Sequence, residues 1–344
     1  MKNIIMEFEK IESIENYNKI YNEQGEWHTY QSWEYGEAKK TEGIFPTRYR
    51  INHNNKTAYF QILDRNIINL RFGYIQHGPV GMDKWSKEEL LLFLDKFQSF
   101  VKGKYAAVFV QFPLSIKPDI ISNNYTTSKT KIAYNATIII DINKDIETIL
   151  GDFSKTTRYE VKRSLKEDII TIEYGMGTEA IERFLTLAQV SSIRSGGSYP
   201  SYDYYKKISM NNNVVFFFAI CNNKVISAIS SYVSKNVIIY QWAAMTNLRE
   251  YTKVFAQKRL VYEMIIWAKE RKIKYLDFGG ISLEPPKGSK IEGIKGFKSS
   301  FGGKIYSGRT FVISSFPKIS KAILSLFSWY RVEFSNSIKS FIKK

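Results

Sequence analysis

Alternating hydrophobic and polar positions mark two similar blocks of the chain, and each block predicts a β-hairpin. In both blocks two apolar strands flank an Asn-Asn pair, and asparagine tolerates the left-handed backbone that a tight hairpin turn requires. The strands and turns cover residues 47–51, 54–55 and 57–63 in the first block, and residues 214–220, 222–223 and 225–233 in the second. The pattern therefore predicts one supersecondary motif twice.

A strand, an amphipathic helix and a further strand are predicted after each hairpin. The strands cover residues 73–76 and 105–112 in the first block, and residues 237–242 and 275–278 in the second. Apolar residues recur at helical spacing between them, at Leu90, Leu91, Leu94, Phe97 and Val101 after a Ser86 cap, and at Leu260, Met264, Trp267 and Ala268. Lys56 and Lys224 are 168 residues apart, and Tyr105 and Tyr275 are 170 apart. A nearly constant offset indicates an internal duplication.

Changes in charge along the chain predict three parts. Residues 141–152 are polar and acidic, and they lead into a basic stretch that Ser154 is placed to cap. We therefore expect domains at residues 1–150 and 151–315, followed by a basic amphipathic helix at residues 316–344. That helix fits an anionic membrane surface, and it fits equally a role in packing against the second domain.

The net charge favours anionic partners. Fifty Lys and Arg against 33 Asp and Glu give a formal charge of +17, which suits nucleic acid, phospholipid head groups or phosphorylated metabolites, although codon bias towards lysine is an alternative explanation. The single cysteine, Cys221, excludes an internal disulfide. The chain has no basic-then-apolar leader and no run of about 18 apolar residues, so we expect a cytoplasmic protein that does not span a membrane.

Several chemistries find little support in the sequence. The three histidines are scattered without metal-ligand spacing, Cys221 lies in an apolar run typical of a core, and neither a Gly-x-Ser-x-Gly elbow nor a Walker motif is present. A CoA-dependent acetyltransferase needs a glycine-rich turn that binds the pyrophosphate at the start of a helix. The corresponding residues 248–256 contain no glycine, which argues against CoA as the acyl donor.

Two glycine-rich segments near the end of the second block are the strongest candidates for a reaction site. A strand ends in Asp277-Phe-Gly-Gly280, and a loop that follows presents Lys298 beside Phe297 and ahead of Gly302 and Gly303. Glycine lets backbone approach a ligand closely, and a lysine there can stabilise a phosphate or a developing oxyanion.

These segments and three others, in this order, resemble the FemABX family, whose enzymes transfer amino acids from aminoacyl-tRNA to peptidoglycan precursors. Tyr30-Gln-Ser-Trp-Glu-Tyr-Gly-Glu-Ala-Lys39 is similar to the family's Gln-Ser-x-Glu-Trp-x-x-x-Lys segment. His77-Gly-Pro-Val80 is similar to its Arg-Gly-Pro-Val strand end, and Thr157-Arg158-Tyr159 to its Thr-Arg-Tyr/Asn turn. The resemblance implies an α/β fold of two tandem GNAT-like domains, with mixed sheets flanked by helices.

The resemblance also implies an activity. We expect an aminoacyltransferase that moves an amino acid from aminoacyl-tRNA, its co-substrate, to a stem-peptide amine of a lipid-linked or UDP-linked peptidoglycan precursor, without a metal or other cofactor. It would work in the cytoplasm, with peripheral contact to the inner face of the plasma membrane. Two alternatives stay open: a GNAT-like N-acyltransferase acting on an amino sugar or amino acid in surface polysaccharide synthesis, and a non-catalytic protein that binds RNA or lipid.

Residue roles follow from this resemblance and from side-chain chemistry. The expected catalytic residues are Lys298 as oxyanion stabiliser, Phe297 as its support and Asp277 as the group that orients the amine or caps the strand. The expected substrate contacts are Lys39, Arg194, Tyr199, Tyr240, Gly302 and Gly303. The expected tRNA contacts share one face of a helix: Lys155, Arg158, Lys162 and Lys166. For each of these charged groups a solvated surface position is the alternative.

The chain also departs from the family pattern. Members often carry an acid at the end of the first domain's last core strand, where Gln111 stands here. The resemblance then implies that the substrate's own phosphate accepts the proton of the amine. No long helical arm interrupts the second block, which resembles the shorter members of the family.

Overall fold

The computed structural model describes residues 6–23, 29–67, 69–113, 116, 136–167, 169–246 and 248–315. In chain order the elements are β1 (Glu7–Ile11), α1 (Ile14–Glu23), α2 (Trp33–Lys39), β2 (Phe45–His53), β3 (Lys56–Ile67), β4 (Leu70–Gln76), α3 (Lys87–Val101), β5 (Ala107–Gln111), β6 (Ala136–Asp141), α4 (Ile146–Asp152), α5 (Lys155–Glu167), β7 (Thr171–Gly175), α6 (Gly177–Ser195), α7 (Tyr202–Ile208), β8 (Val214–Cys221), β9 (Lys224–Val233), β10 (Val237–Met245), α8 (Ala256–Glu270), β11 (Tyr275–Ile281), α9 (Lys290–Ser299), β12 (Lys304–Ser307) and β13 (Thr310–Ser314). Short 3-10 turns cover Thr29–Gln31, Lys40–Glu42 and Arg249–Val254.

The chain forms two compact units that differ from the predicted ranges at three places. Of the described residues, the first unit holds those within 1–24 and 42–135 together with 308–315, and the second holds those within 25–41 and 136–307. Strand β6 joins the second unit because it pairs with β11, whereas β13 returns to the first unit because it pairs with β5. The sequence near β6 and β13 does not indicate which sheet either strand joins, because strand partners are set by tertiary pairing. The predicted helix at residues 316–344 lies outside the described residues.

Each unit is built on one mixed sheet, and the first five strands of the two sheets have the same topology. The order is β1-β2-β3-β4-β5-β13 in the first sheet and β7-β8-β9-β10-β11-β6-β12 in the second. The neighbours are antiparallel except for the pairs β4–β5 and β10–β11, which are parallel and joined by α3 and α8 respectively. The predicted duplication is therefore confirmed for the hairpin, the next strand, the helix and the strand that follows it.

The Asn-Asn turns form as the sequence predicts. Asn54 and Asn55 have φ of 45° and 60°, and Asn222 and Asn223 have φ of 50° and 59°. Two successive left-handed residues match the turn that joins tightly twisted antiparallel strands. Residues 47–63 and 214–233 thus form the expected hairpins β2–β3 and β8–β9.

One helix in each unit packs an apolar stripe against its sheet. Helix α3 begins with a capping box between Ser86 and Glu89, and it buries Leu90, Leu94 and Phe97 among the strands of the first unit. Helix α8 buries the corresponding residues Leu260, Met264, Trp267 and Ala268 in the core of the second unit. This core packs against one face of β10 and β11, and it thereby fixes the positions of both strands.

Candidate active site

A gap between two parallel strands is the main irregularity of the second sheet. Strand β10 pairs with β11 at three positions, the last being Ile239 with Asp277, although β10 continues to Met245 and β11 to Ile281. Both strands are bulged at this point, between Tyr240 and Trp242 in β10 and between Asp277 and Gly280 in β11. Bulges end pairing and redirect side chains. We call the region bounded by residues 240–242 and 278–281 the wedge.

Lys298 lies at the β11 side of the wedge. Its Nζ donates a 2.9 Å hydrogen bond to the Gly280 carbonyl oxygen and lies 6.0 Å from the centre of the Tyr240 ring. The residue is only 9% exposed. Burial lowers the pKa of this ammonium to about 8, against a smaller opposing effect of the Asp277 carboxylate. The lysine is therefore a cation held with little hydration, which strengthens its interaction with a negative charge.

The predicted location of Lys298 in a loop is wrong. The residue lies in the last turn of α9, which begins at a Ser289 cap and ends before the left-handed Gly302 and Gly303. Gly302 and Gly303, on which the loop prediction rested, follow this helix, and Gly293 and Gly296 are accommodated at exposed helical positions within it. A helix holds the lysine more firmly than a surface loop would.

Asp277 lies inside β11 (Tyr275–Ile281), whereas the sequence pattern predicted that the strand ends at this acid and the two glycines after it. Its carboxylate accepts hydrogen bonds from the Thr137 hydroxyl and, at 2.7 Å, from the Gly279 N–H. Burial raises the pKa of this carboxyl, while Thr137, the Gly279 N–H and Lys298 oppose the shift. Thr137 Oγ1 also lies 2.7 Å from the Gly279 carbonyl oxygen, so one hydroxyl proton faces two acceptors.

Phe297 and Tyr240 form an aromatic wall beside Lys298. The Phe297 ring lies 6.3 Å from Tyr240 and 5.2 Å from Phe301, and the Tyr240 ring lies 5.8 Å from Phe278. Phe297 belongs to the same helix as Lys298 and packs on the core, and its predicted support of Lys298 stays a prediction.

A buried chain of polar groups fixes the Tyr240 hydroxyl. Gln257 Nε2 donates to it at 3.1 Å, and Ser227 Oγ donates to Gln257 Oε1 at 2.5 Å. Burial raises the pKa of the Tyr240 hydroxyl, so it stays neutral. Sequence reasoning missed Gln257 and Thr137. Each is a polar residue on an otherwise apolar stripe, and this is the sequence signal that could have identified them.

The N-terminal segment of residues 29–39 belongs to the second unit and lies close to the wedge. Gln241, at the bulge of β10, donates a 2.7 Å hydrogen bond from Nε2 to the Tyr30 hydroxyl. Lys39 Nζ lies 5.4 Å from the ring centres of both Tyr35 and Tyr204. Lys39 is thus held between two aromatic rings, close to the tyrosine-rich surface of α7.

The two glycines after α9 have a structural explanation. Gly302 and Gly303 have φ of 74° and 84°, and a Cβ would lie 2.6 Å from the Asp152 carbonyl oxygen and 2.7 Å from that of Ile139, respectively. Both positions therefore require glycine so that β12 can reach β6. Their predicted contact with substrate stays a prediction.

The remaining predicted contacts are spread over two helices and a loop. The Tyr199 hydroxyl donates to the Ala243 carbonyl at 2.8 Å and lies 3.0 Å from Ser191 Oγ. Arg194 lies in the last turn of α6, and its side chain is outside the described residues. Lys155, Lys162 and Lys166 are exposed on α5, as expected from their spacing, and Arg158 Nη1 donates to the Gly151 carbonyl.

The turn before α8 forms without glycine. Phe255 takes the left-handed conformation, with φ of 54°, and no side chain caps the helix that begins at Ala256. The absence of glycine therefore does not prevent a tight turn here. Helix α3 differs, since the Ser86–Glu89 capping box closes its start.

The described residues lack two features that would point to other functions. No helix among them is long and apolar enough to cross a membrane. In the same ranges, no three His, Cys, Asp or Glu side chains cluster in a way that could hold a metal ion.

Comparisons with known proteins support the architecture. Residues 151–297 match the model of the acetyltransferase (GNAT) domain family. Among solved structures, FemX is 17% identical with a TM-score of 0.75, over 93% of this chain and 100% of FemX. A domain assigned to a lysylphosphatidylglycerol synthetase of Agrobacterium fabrum is 11% identical with a TM-score of 0.59, over 92% and 97% of the two chains. No curated protein matches the sequence.

A further structure addresses the duplication directly. A tandem GNAT protein from the clavulanic acid biosynthesis pathway is 7% identical with a TM-score of 0.52, over 91% of this chain and 100% of that protein. The expected duplicated GNAT fold is confirmed, and the chain resembles the FemABX family at the level of the fold. The matches support an acyltransferase.

Proposed function

We propose that this protein transfers the aminoacyl group of an aminoacyl-tRNA to an amine of the stem peptide of a peptidoglycan precursor. The observation that carries the proposal is the buried Lys298 ammonium at the wedge, 2.9 Å from the Gly280 carbonyl. The FemX-like fold and the family motifs at residues 30–39 and 275–303 support the same substrate class.

The proposed reaction is attack of a neutral amine on the carbonyl carbon of the tRNA ester. A C–N bond forms, the C–O bond to the terminal ribose breaks, and the ribose oxygen leaves with a proton. The Lys298 cation stabilises the oxyanion that develops on the carbonyl oxygen. Asp277 orients the amine, and the substrate's own phosphate accepts the proton that the amine loses and returns it to the leaving ribose oxygen.

Partner binding is proposed from the charged surfaces. Lys39, between Tyr35 and Tyr204, would bind the diphosphate of the lipid-linked or UDP-linked precursor. The exposed lysines of α5 would bind phosphates of the tRNA acceptor stem. The basic residues of the segment 316–344 would hold the protein at the cytoplasmic face of the membrane.

One observation favours a second candidate, a CoA-dependent N-acyltransferase acting on an amino sugar or amino acid. The start of α8 has no side-chain cap, and Phe255 supplies the left-handed turn that glycine would otherwise provide. Uncapped N–H groups at a helix start are suited to a phosphate group.

A donor-swap assay separates these candidates. Full-length protein would be incubated with a peptidoglycan precursor and either charged tRNA or acetyl-CoA, and the product mass would be measured. We expect a mass gain of one aminoacyl residue that RNase treatment abolishes. An acetyl gain with acetyl-CoA and none with tRNA would contradict the proposal and establish the second candidate.

A further inference from the structure

One side of helix α5 carries an exposed aromatic ring among lysines. Tyr159 lies four residues after Lys155 and three before Lys162, and Lys166 follows four residues later. This spacing places the four side chains on one side of the helix, which we call the α5 stripe. All four residues are exposed, and Tyr159 is 60% exposed. The stripe therefore combines three positive charges with one aromatic ring.

The other side of α5 is fixed to helix α8 and to the core. Lys258 Nζ donates to the Glu160 carboxylate. Arg259 Nη1 donates to the Ser164 carbonyl oxygen at 3.2 Å, and Val161 is fully buried in the core of the second unit. These contacts hold the helix in one orientation, so the stripe is presented on a rigid element rather than on a surface loop.

The start of α5 adjoins the helix that carries Lys298. The Ser154 N–H donates a 2.8 Å hydrogen bond to the Ser300 carbonyl oxygen, and the Phe153 ring lies 5.2 Å from that of Phe301. Ser300 follows Lys298 by two residues, at the end of α9. Because an α-helix rises about 1.5 Å per residue, the stripe extends over about 16 Å from this junction. An RNA strand whose end lies at the wedge therefore has the stripe close by.

Tyr159 differs from a similarly exposed tyrosine of the second unit. Tyr174 is 58% exposed, but its ring lies 6.1 Å from that of Trp267 and 5.4 Å from the Arg271 guanidinium. Within the part of the chain that the structure describes, Tyr159 has neither a ring contact nor a hydrogen bond of its side chain. Its ring is thus available for stacking, in the middle of the lysines.

We propose that Tyr159 stacks on an unpaired base at the 3′ end of the aminoacyl-tRNA, while the lysines of the stripe contact the phosphates beside it. Lysines bind the RNA backbone whatever its sequence, and an aromatic ring among them binds a base that has no partner strand. Double helices are instead bound through their backbone and groove shape. The stripe has no aliphatic residue that could insert into a lipid surface, which favours RNA over a membrane. The inference rests on the proposed function, which makes aminoacyl-tRNA the donor.

A binding assay with two RNA minihelices tests the stacking without turnover. Both share one stem, but only one has an unpaired 3′ overhang, in which 2-aminopurine reports stacking by its fluorescence. In the full-length protein, Tyr159→Ala should weaken binding of the overhang minihelix about tenfold and that of the blunt one by less than about twofold. Tyr159→Phe keeps the ring and should bind like the unmodified protein. Tyr174→Ala, which removes the other exposed ring, should do the same.

Salt dependence separates stacking from charge. Tyr159→Ala should leave the slope of log K against log salt unchanged, because a stacked base releases no counterions, whereas Lys162→Gln with Lys166→Gln should reduce it. In steady-state transfer, Tyr159→Ala should raise KM for charged tRNA about tenfold with little change in kcat, since stacking far from the reacting atoms acts on binding.

The outcomes distinguish this inference from the proposed function. Equal losses for both minihelices, or an unchanged affinity for the overhang, would overturn the stacking role of Tyr159. Weaker binding of Tyr159→Ala to phosphatidylglycerol vesicles, with RNA binding intact, would also overturn it and would identify a membrane surface. Selective loss of overhang binding in a protein that transfers no amino acid from tRNA would retain the stacking and reject the proposed function.

Discussion

Each half of the molecule contains a buried aspartate beside a cation, and the two pairs are built differently. In the first unit Asp64 accepts from Thr47 at 2.9 Å and from Arg71 at 2.5 Å, which forms a direct ion pair. In the second unit Asp277 accepts from Thr137, but Lys298 donates to the Gly280 carbonyl instead. The first pair neutralises itself, whereas the second leaves its cation directed at the wedge.

The parallel strands differ in the same way. Strands β4 and β5 stay paired over five positions, from Phe72 with Ala107 to Gln76 with Gln111. Strands β10 and β11 separate after Ile239 and Asp277. Each sheet therefore contains one pair of parallel strands. Among the described residues, the strands of this pair separate within the sheet in the second unit only. The candidate site therefore depends on features that the repeat does not duplicate. These are the bulges in β10 and β11 and a lysine that bonds a backbone carbonyl rather than the aspartate.

Removing the cation is the most direct way to break the comparison. Lys298→Ala should lower kcat by about 10²- to 10³-fold, the usual loss for one oxyanion-stabilising group. Lys295→Ala, on the same helix, should retain full activity, since that lysine donates to the Leu283 carbonyl at the surface. Arg71→Ala, which breaks the equivalent pair in the first unit, should leave kcat unchanged. Steady-state transfer rates measure all three, and a folded Lys298→Ala protein with normal turnover would remove the catalytic role.

The glycines that end α9 allow a test of architecture. Gly303→Ala should destabilise the second unit by roughly 3 kcal/mol, because its φ is 84° and a Cβ would lie 2.7 Å from the Ile139 carbonyl oxygen. Gly296→Ala is the matched control, since a Cβ there meets no atom within 4 Å and alanine favours the helix. Urea unfolding measures both. Equal stabilities for the two variants would contradict the structural role of Gly303.

Burial of the Lys298 charge has a cost in stability that a substitution should recover. The lysine's pKa falls from 10.5 to about 8 on folding, so the folded state disfavours the charged form. Lys298→Met should therefore raise the free energy of unfolding by up to about 3 kcal/mol at pH 7. The gain should be complete below pH 8 and should fade between pH 8 and 10.5, as the unfolded chain also loses the proton. Urea unfolding across this pH range measures it, and a gain that grows with pH would reverse the sign argument.

Sequence patterns predicted the fold better than the site. The Asn-Asn turns, the Ser86 cap and the helical spacing of Leu260 and Met264 are local signals, and local signals specify hairpins and amphipathic helices. The site depends on bulges beside Tyr240 and Asp277 and on a segment that docks from a distance. These features follow from strand register and tertiary pairing, which no short stretch of sequence encodes.

Motif resemblance and side-chain chemistry nevertheless identified several residues that the fold brings together. Lys298, Phe297, Asp277 and Tyr240 converge at the wedge. Tyr30 was part of a recognised motif, but its contact with Gln241 could not be predicted because the partner lies more than two hundred residues away. Gly302 and Gly303 are explained by backbone crowding, and their predicted contact with substrate stays a prediction.

The pH profile sharpens the comparison by asking whether Lys298 works as a cation. Since its pKa is about 8, the ammonium is present below that pH and lost above it. The value of kcat/KM should therefore fall by up to tenfold per unit above pH 8. Lys298→Arg, which stays charged, should remove this limb even if its overall rate is lower. Activity that rises through pH 8 in the unmodified protein but not in Lys298→Arg would identify Lys298 as a neutral base.

The smallest expected effect concerns the basic face of α5. Lys162 and Lys166 are exposed there, and each phosphate contact contributes to RNA binding in a salt-dependent way. Lys162→Gln combined with Lys166→Gln should weaken tRNA binding several-fold at low salt and reduce the slope of log K against log salt by about one to two units. Lys206→Gln with Lys207→Gln, on α7, removes the same charge and should leave the slope unchanged. Equal losses in both double variants would mean that net charge alone attracts the RNA. Binding to a specific face should instead depend on the lysines of α5 and not on those of α7.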